Sequence, residues 1–565
     1  MPPYYTSPFA HLPLLMRFHG AAKIQGGGKD SAQTKINKLN AARHSGMLVV
    51  KAKSATNNWQ VNQAQRQQAG LPILAVSMPI LLKIDPNLDL GSLQKRLKFE
   101  IVSEQEDGFV IVASEDLQLS EFINLARGFS TQVYGSADIA SIHELFDDSA
   151  QQERLKRILS DTLIQTWPTI ADDTIYIVDV GIACTGTVEI PEPPAKVDRS
   201  LRESDASWAA RLAVYSKEFA DWAKAKTEAY VAWDDIKAER EDRVHYFVVE
   251  SYKGKIHSII DKMVVEAVKL PDSFTVRIEV NGKGLRDFAL NYPFIFEVVE
   301  PEDIELPQRV SATTAREQQG IILTAPSSDA PAICIIDSGI QEEHFFLKNA
   351  VDFETSHCFL PNASTDVGDY YQPAGHGTRV AGAVLYGETI HRSGSHQLPF
   401  WLQNARILDS DCKLPVELFP AAVLRTVVER FHKGPRGTRL FNHSVNTVSP
   451  CRTRHMSAWA AEIDELSAQF DILIVQSAGN LYSSGSGISP GIREHFVAGR
   501  VYPDYLCEPS SRIANPGQSL QSLTVGSVAY CVYENGGWKS LAPAAAHPSG
   551  FSRSGFGIWG VIKPE

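Results

Sequence analysis

Three residues in the C-terminal part of this chain have the types and surroundings that acid–base chemistry needs. Asp337 closes the apolar part of PAICIIDSGI, residues 331–340. AICII is a short apolar run of the kind that forms a central parallel strand covered on both faces. Asp337 sits just past its carboxyl end, where open α/β sheets place their working residues. An Asp there also serves simply to cap a turn. His376 stands between two glycines in Gly375-His376-Gly377-Thr378-Arg379-Val380-Ala381-Gly382, and Ala383, Val384 and Leu385 carry the pattern on as a helix. The imidazole therefore falls at a helix N-terminus, where the positive end of the dipole disfavours imidazolium and keeps a neutral base near pH 7. Asn480 ends ILIVQSAGN, again at the carboxyl edge of an apolar strand. Its amide can donate to the oxyanion of a tetrahedral intermediate, a contact of about 3–4 kcal/mol in the barrier. Ala-Gly-Asn is equally an ordinary turn.

The elements that must position these groups follow from patterning. Within residues 331–565 the apolar runs AICII and ILIV read as strands and the run after His376 as a helix. Upstream, residues 76–198 carry MPILLKID as a strand, Leu90 to Leu97 as a helix, and FEIVSEQ and DGFVIVAS as a hairpin around Asp107-Gly108. LSEFINLARGF reads as a helix and, after a helical insertion, TIYIVDVGIA as the last strand. That order suggests a split, ferredoxin-like α+β layer. Residues 199–242 predict one long helix, with Ser200 and Glu203 as a capping box. Trp208, Leu212, Tyr215, Phe219, Trp222, Ala229, Trp233 and Ile236 form one apolar seam along about 60 Å. The seam reads as a packing face, against the flanking units or a partner surface. Residues 243–306 form a second α+β unit, with HYFVVES as a strand, Lys255 to Val268 as a helix, and FTVRIEV and PFIFEVV as strands. Residues 307–330 are polar and turn-rich, and read as a linker.

Residues 1–75 read as a basic, polar, solvated arm: the first seventy contain one acidic residue, Asp30. Gly26-Gly27-Gly28-Lys29 lacks the preceding strand and the Ser or Thr of a phosphate loop. With a net charge of −12, the chain has no excess of cations for phosphate backbones, so no nucleic-acid partner is expected. Seven scattered cysteines without a CxxC pair suggest reduced thiols. No stretch is apolar for long enough to span a bilayer, and the N-terminus lacks a charged region followed by an unbroken apolar one. A cytoplasmic location with no membrane association is the expectation.

Taken together, the DSG strand end, GHGTRVAG and the SAGN turn resemble the subtilisin-like serine peptidases (subtilases). Their acid precedes the base in the same order, here by 376 − 337 = 39 residues. The resemblance covers residues 330–565. Upstream there is a looser likeness to large cytosolic bacterial subtilases, some of which accompany AAA-type ATPases in phage defence. The resemblance implies a parallel sheet with helices on both faces and acyl transfer on a protein or peptide substrate. Asp337 would orient His376, His376 would shuttle the nucleophile's proton, and Asn480 would bind the oxyanion. Ser444, Val445 and Asn446 would lie along the edge that pairs with an extended peptide, although NHSVN departs from the family's Ser-Leu-Gly. No cofactor or metal is implied. Subtilase propeptides share the topology read for residues 76–198, so an intramolecular chaperone or inhibitor is an open role there.

One part is missing. No Gly-Thr-Ser occurs among the 565 residues. PSGFSRSGFGIWGVIKPE is similar to the segment just upstream of the family's nucleophile motif, so Ser549, Ser552 and Ser554 match turn residues. The expectation is a peptidase domain truncated before its nucleophile and inactive as it stands. The alternative is a non-catalytic pseudo-protease that binds peptides or a partner ATPase.

Overall fold

The structure is a computed structural model that describes residues 30–564 except for short internal stretches, the longest being 308–319. The Gly26–Lys29 run and half of the 307–330 linker, residues 308–319, lie outside the described residues. The described residues divide into two units, one within residues 30–256 and 269–300, the other within residues 257–268 and 301–564.

In the first unit the described part of the expected basic arm is not a free arm, although most of its residues face solvent. It forms helices α1 (Ala32–Leu39) and α2 (Ala41–Gln68). Leu48, Ala52 and Trp59 are buried in the same core as strand and helix residues downstream. They recur at helical spacing, so a narrow apolar stripe drives packing that the polar composition conceals. Then follow β1 (Met78–Ile84), α3 (Leu90–Leu97), β2 (Phe99–Glu104), β3 (Phe109–Ser114), α4 (Ser120–Ser130) and β4 (Ile142–Leu145). The antiparallel sheet has the order β2-β3-β1-β4, the arrangement of a split βαβ layer. Its fourth strand is Ile142–Leu145, not TIYIVDVGIA. IHEL is too short and polar to announce itself. TIYIVDVGIA instead forms β5 (Ile175–Ala183) in a second sheet.

The long helix, α5, runs from Asp205 to His245 and is capped by Ser204, which accepts from the Ser207 N–H. The capping-box residues Ser200 and Glu203 lie just ahead of that start, with Glu203 bound to Arg211. The seam is only partly covered. Trp222 and Trp233 donate their indole N–H groups to the carbonyls of Pro191 and Val188 at 2.7 and 3.0 Å, whereas Leu212 and Phe219 are each 43% exposed. HYFVVES is not a strand: Tyr246–Ser251 continues α5 as a wider helical turn and buries Phe247 and Val248. Residues 255–268 are not a helix. Lys255–Ile256, Ile259–Ile260, Met263–Val264 and Val268–Lys269 are two-residue strands, as suits a stretch rich in Ile and Val. Strand β6 (Ser273–Asn281) pairs antiparallel with β5 along nine residues, α6 (Gly282–Asn291) follows, and β7 (Ile295–Val299) pairs with the other edge of β5.

The second unit holds the candidate chemistry. Its strands are β8 (Ala332–Asp337), β9 (His357–Cys358), β10 (Trp401–Arg406), β11 (Leu440–His443), β12 (Leu473–Ser477) and β13 (Leu523–Val525). They form one sheet in the order β9-β10-β8-β11-β12-β13, and every pairing is parallel. Alternate residues of β8 feed the two faces. Cys334 and Ile336 pack with helices α8 (Pro420–His432) and α9 (Ala458–Phe470) on one side. Ile335 packs with Ala381 and Leu385 of helix α7 (Gly377–Tyr386) on the other. Part of the expected linker belongs here too, because Ile321–Thr324 pairs in parallel with Gly394–Gln397. All seven cysteines are free thiols. Among the described residues no helix is long and apolar enough to cross a membrane.

Candidate active site

Two backbone approaches build the site. Strand β8 ends at Asp337, and the N-terminus of α7 is pressed against it. A Cβ on Gly377 would lie 2.2 Å from the Gly339 carbonyl oxygen and 3.0 Å from the Asp337 Cβ. Only glycine fits between His376 and the helix, and that fit brings the two side chains into register. Asp337 is buried, and its Oδ1 accepts from His376 Nδ1 at 2.7 Å and from the Ser338 N–H at 2.7 Å.

That hydrogen bond sets the tautomer. With the proton on Nδ1, the lone pair of Nε2 points away from Asp337 and is available as a base. The imidazole side chain is 20% exposed. Burial pushes its pKa down, but the charge and hydrogen bond of Asp337 outweigh burial and raise it above 6.5. Among the described residues, none hydrogen-bonds Nε2.

The exposed N–H groups of the first helical turn need acceptors, and sequence reasoning missed the residues that supply them. The Ser338 hydroxyl accepts from the Gly377 N–H at 3.0 Å and donates to Asp369 Oδ1 at 3.0 Å. Asp369 Oδ2 accepts from the N–H and hydroxyl of Thr378 at 2.9 and 2.8 Å. Asp369 is thus a buried brace that fixes the backbone on both sides of His376. It sits in a stretch without periodicity, so only its acidic type pointed to it.

Asn480 follows β12 through Gly479, whose φ is +86°. Its backbone N–H donates to Glu305 Oε2 at 2.9 Å. Arg553 locks the same turn. Its guanidinium donates to the carbonyls of Asn480, Val448, Ser510 and Arg512 at 2.8 to 3.1 Å.

Of the three expected edge residues, only Asn446 takes part in a strand-like pairing. Its carbonyl accepts from the Glu305 N–H at 2.8 Å, and the Val448 N–H donates to the Asp303 carbonyl at 3.0 Å. Ile304 and Thr447 form the antiparallel bridge between them. Ser444 and Val445 lie before this edge. The Ser444 hydroxyl accepts from the Asn442 amide, and the buried Val445 gives its carbonyl to Gln476. The paired edge is therefore Asn446–Val448, two residues further along, and it is covered by the chain's own acidic segment at 303–305.

The serines of the C-terminal run are engaged elsewhere. Ser549 shares a hydrogen bond with Ser527, the Ser552 hydroxyl accepts from the Ser527 N–H, and the Ser554 hydroxyl reaches the Leu506 carbonyl. Among the described residues no group of three His, Cys, Asp or Glu side chains is arranged to hold a metal ion.

Residues 328–565 match the Subtilase family (Peptidase_S8). An uncharacterized protein of Sinorhizobium fredii (strain NBRC 101917 / NGR234), y4bN, is 35% identical over 116 residues, which is 20% of this chain and 25% of that protein. The chain thus matches about a quarter of the length of that curated relative. Among solved structures, the epidermin leader peptide processing serine protease of Staphylococcus aureus aligns at 15% identity, over 55% of this chain and 70% of its own, with a TM-score of 0.32. The psychrophilic subtilisin-like protease Apa1 of Pseudoalteromonas sp. AS-11 aligns at 14% identity over 41% of each chain, with a TM-score of 0.25. The match over residues 328–565 supports assigning that part of the chain to the subtilase family.

Proposed function

We propose that residues 328–565 provide the acid–base and oxyanion parts of a serine-type endopeptidase site that acts on extended protein segments. The observation that carries this reading is the 2.7 Å Asp337–His376 hydrogen bond at the carboxyl edge of a parallel sheet. Asp337 holds the Nδ1–H tautomer and stabilises the imidazolium, His376 takes the nucleophile's proton and returns it to the leaving amine, and Asn480 donates to the oxyanion. The 565 residues contain no Gly-Thr-Ser, and among the described residues no hydroxyl bonds His376 Nε2. On this reading the stretch orients a base without supplying the nucleophile.

A fluorophosphonate probe tests this. The 565-residue protein should not label. The same protein extended with a subtilase nucleophile segment should label, and His376→Ala should abolish that labelling, because an unassisted serine hydroxyl is a weak nucleophile at neutral pH. His376-dependent labelling at Ser549, Ser552 or Ser554 in the 565-residue protein would overturn the assignment.

A second reading, peptide binding without cleavage, draws support from the strand pairing at Asn446–Val448. Main-chain pairing at an exposed edge binds an extended segment whether or not a bond is later cut. A partner ATPase and a role in phage defence belong to this reading as proposals, and a cytoplasmic setting to both readings.

A further inference from the structure

The N-terminal half of α5 carries apolar surface that the chain itself leaves uncovered. Further along the seam, Trp222 and Trp233 are tied to the carbonyls of Pro191 and Val188. Before them, Leu212 and Phe219 are each 43% exposed, and Trp208 and Tyr215 on the same stripe are half-buried. These four fall on alternating four- and three-residue steps, the a and d positions of a heptad. The Tyr215 and Phe219 rings lie 6.0 Å apart, so the patch is contiguous. It also has ends. Asp205 takes the next stripe position on one side, and Trp222, already bonded to Pro191, takes the next on the other.

The residues beside the stripe decide what fits it. One flank, the g positions, carries Arg211 and Glu218. The Arg211 side chain is 46% exposed although Glu203 braces it at 2.9 Å. Glu218 is exposed and has no ion pair within its own chain among the described residues. The other flank, the e positions, carries Ala209, Ser216 and Ala223, which are small and uncharged. Two parallel copies would set g against e and leave both charges unmatched, whereas two antiparallel copies set g against g. With a two-fold axis between Ala213 and Val214, Trp208 of one copy faces Phe219 of the other and Leu212 faces Tyr215. Arg211 then lies opposite Glu218 at both ends of the contact.

We infer that the 208–219 stretch of α5 is a self-association surface whose partner is a second copy of this chain, paired antiparallel. Every contact then occurs twice, as a closed two-fold interface requires. Aromatic side chains bury about 150–250 Å² each when fully covered, so the stacked layers supply the attraction. The two Arg211–Glu218 pairs set register and direction.

Sedimentation equilibrium of the 565-residue protein tests this. The parent should show a reversible monomer–dimer equilibrium. Arg211→Glu and Glu218→Arg should each weaken self-association at least about tenfold, because each sets like charges opposite one another twice. Mixing the two variants in equal amounts should restore a dimer of the parent's strength, since each then presents the charge the other has lost. Phe219→Ser, which removes an exposed ring, should also weaken association at least about tenfold. A parent that stays monomeric up to its solubility limit would overturn the inference, as would a dimer that both charge variants and Phe219→Ser leave intact. Charge variants that keep the parent's helix content, dissociate, and fail to recombine on mixing would overturn it too, because antiparallel pairing is what makes them complementary.

Discussion

At the Asn480 turn the decisive residue is the one before it. Gly479 has φ +86°, and a Cβ there would lie 2.6 Å from the Ala514 Cβ and 3.1 Å from the Arg553 Cδ. Conformation and space both exclude a side chain. Gly479→Ala should therefore cost roughly 2 kcal/mol or more, read as a lower denaturation midpoint at unchanged slope. Gly499→Ala is the control: φ is +79° but nothing lies within 4 Å, so only the left-handed backbone cost of about 1 kcal/mol applies. Equal losses at the two sites would show that close packing around Asn480 is not what holds the turn. Asp369 makes a second claim at this scale. In Asp369→Asn one oxygen becomes a donor facing either the Tyr371 N–H and the Ser338 hydroxyl or the N–H and hydroxyl of Thr378. Leaving a buried donor unpaired should cost roughly 1–3 kcal/mol, checked by the same denaturation measurement.

The long helix is held at its C-terminal half. Arg240 makes two hydrogen bonds to the Glu100 carboxylate, at 2.6 and 2.7 Å, and both side chains are buried. Removing either partner alone strands a buried charge. Arg240→Ala or Glu100→Ala should cost roughly 3–5 kcal/mol, with the double variant costing much less than the sum. Phe219→Ser, on the exposed half of the seam, should stay within about 0.5 kcal/mol of the parent in the isolated chain. What could be read in advance follows the same division. Elements with a clean period, such as Leu90–Leu97, Ser273–Asn281 and the helix Pro420–His432, are visible in the residue pattern itself. IHEL was not, because four residues with two polar ones have no period. HYFVVES has strand composition, yet it continues a helix already nucleated upstream, where each added turn costs little. At the site, Asp337, His376 and Asn480 stood out because each ends or opens an apolar run. Glu305, Asp369 and Arg553 were hidden because tertiary folding alone brings them there, from loops without periodicity.

For the molecule as a whole, a parallel sheet leads to an acid and an amide past the ends of two strands, a helix N-terminus brings a base onto the acid, and a segment just upstream of the sheet pairs with Asn446–Val448. The central claim is that Asp337 makes His376 a base with its proton on Nδ1. The sign of its pH dependence follows. A histidine whose folded pKa is raised contributes stability that is complete below about pH 6.5 and is lost as pH climbs through the folded value. Asp337→Asn should remove that dependence. The direct measurement is nitrogen-15 NMR of the His376 ring across a pH titration of the 565-residue protein. The account predicts a midpoint above 6.5, a neutral form protonated at Nδ1 with Nε2 bare, and a downward shift of the midpoint in Asp337→Asn. A midpoint below 6.5, or a neutral ring protonated at Nε2, would contradict it.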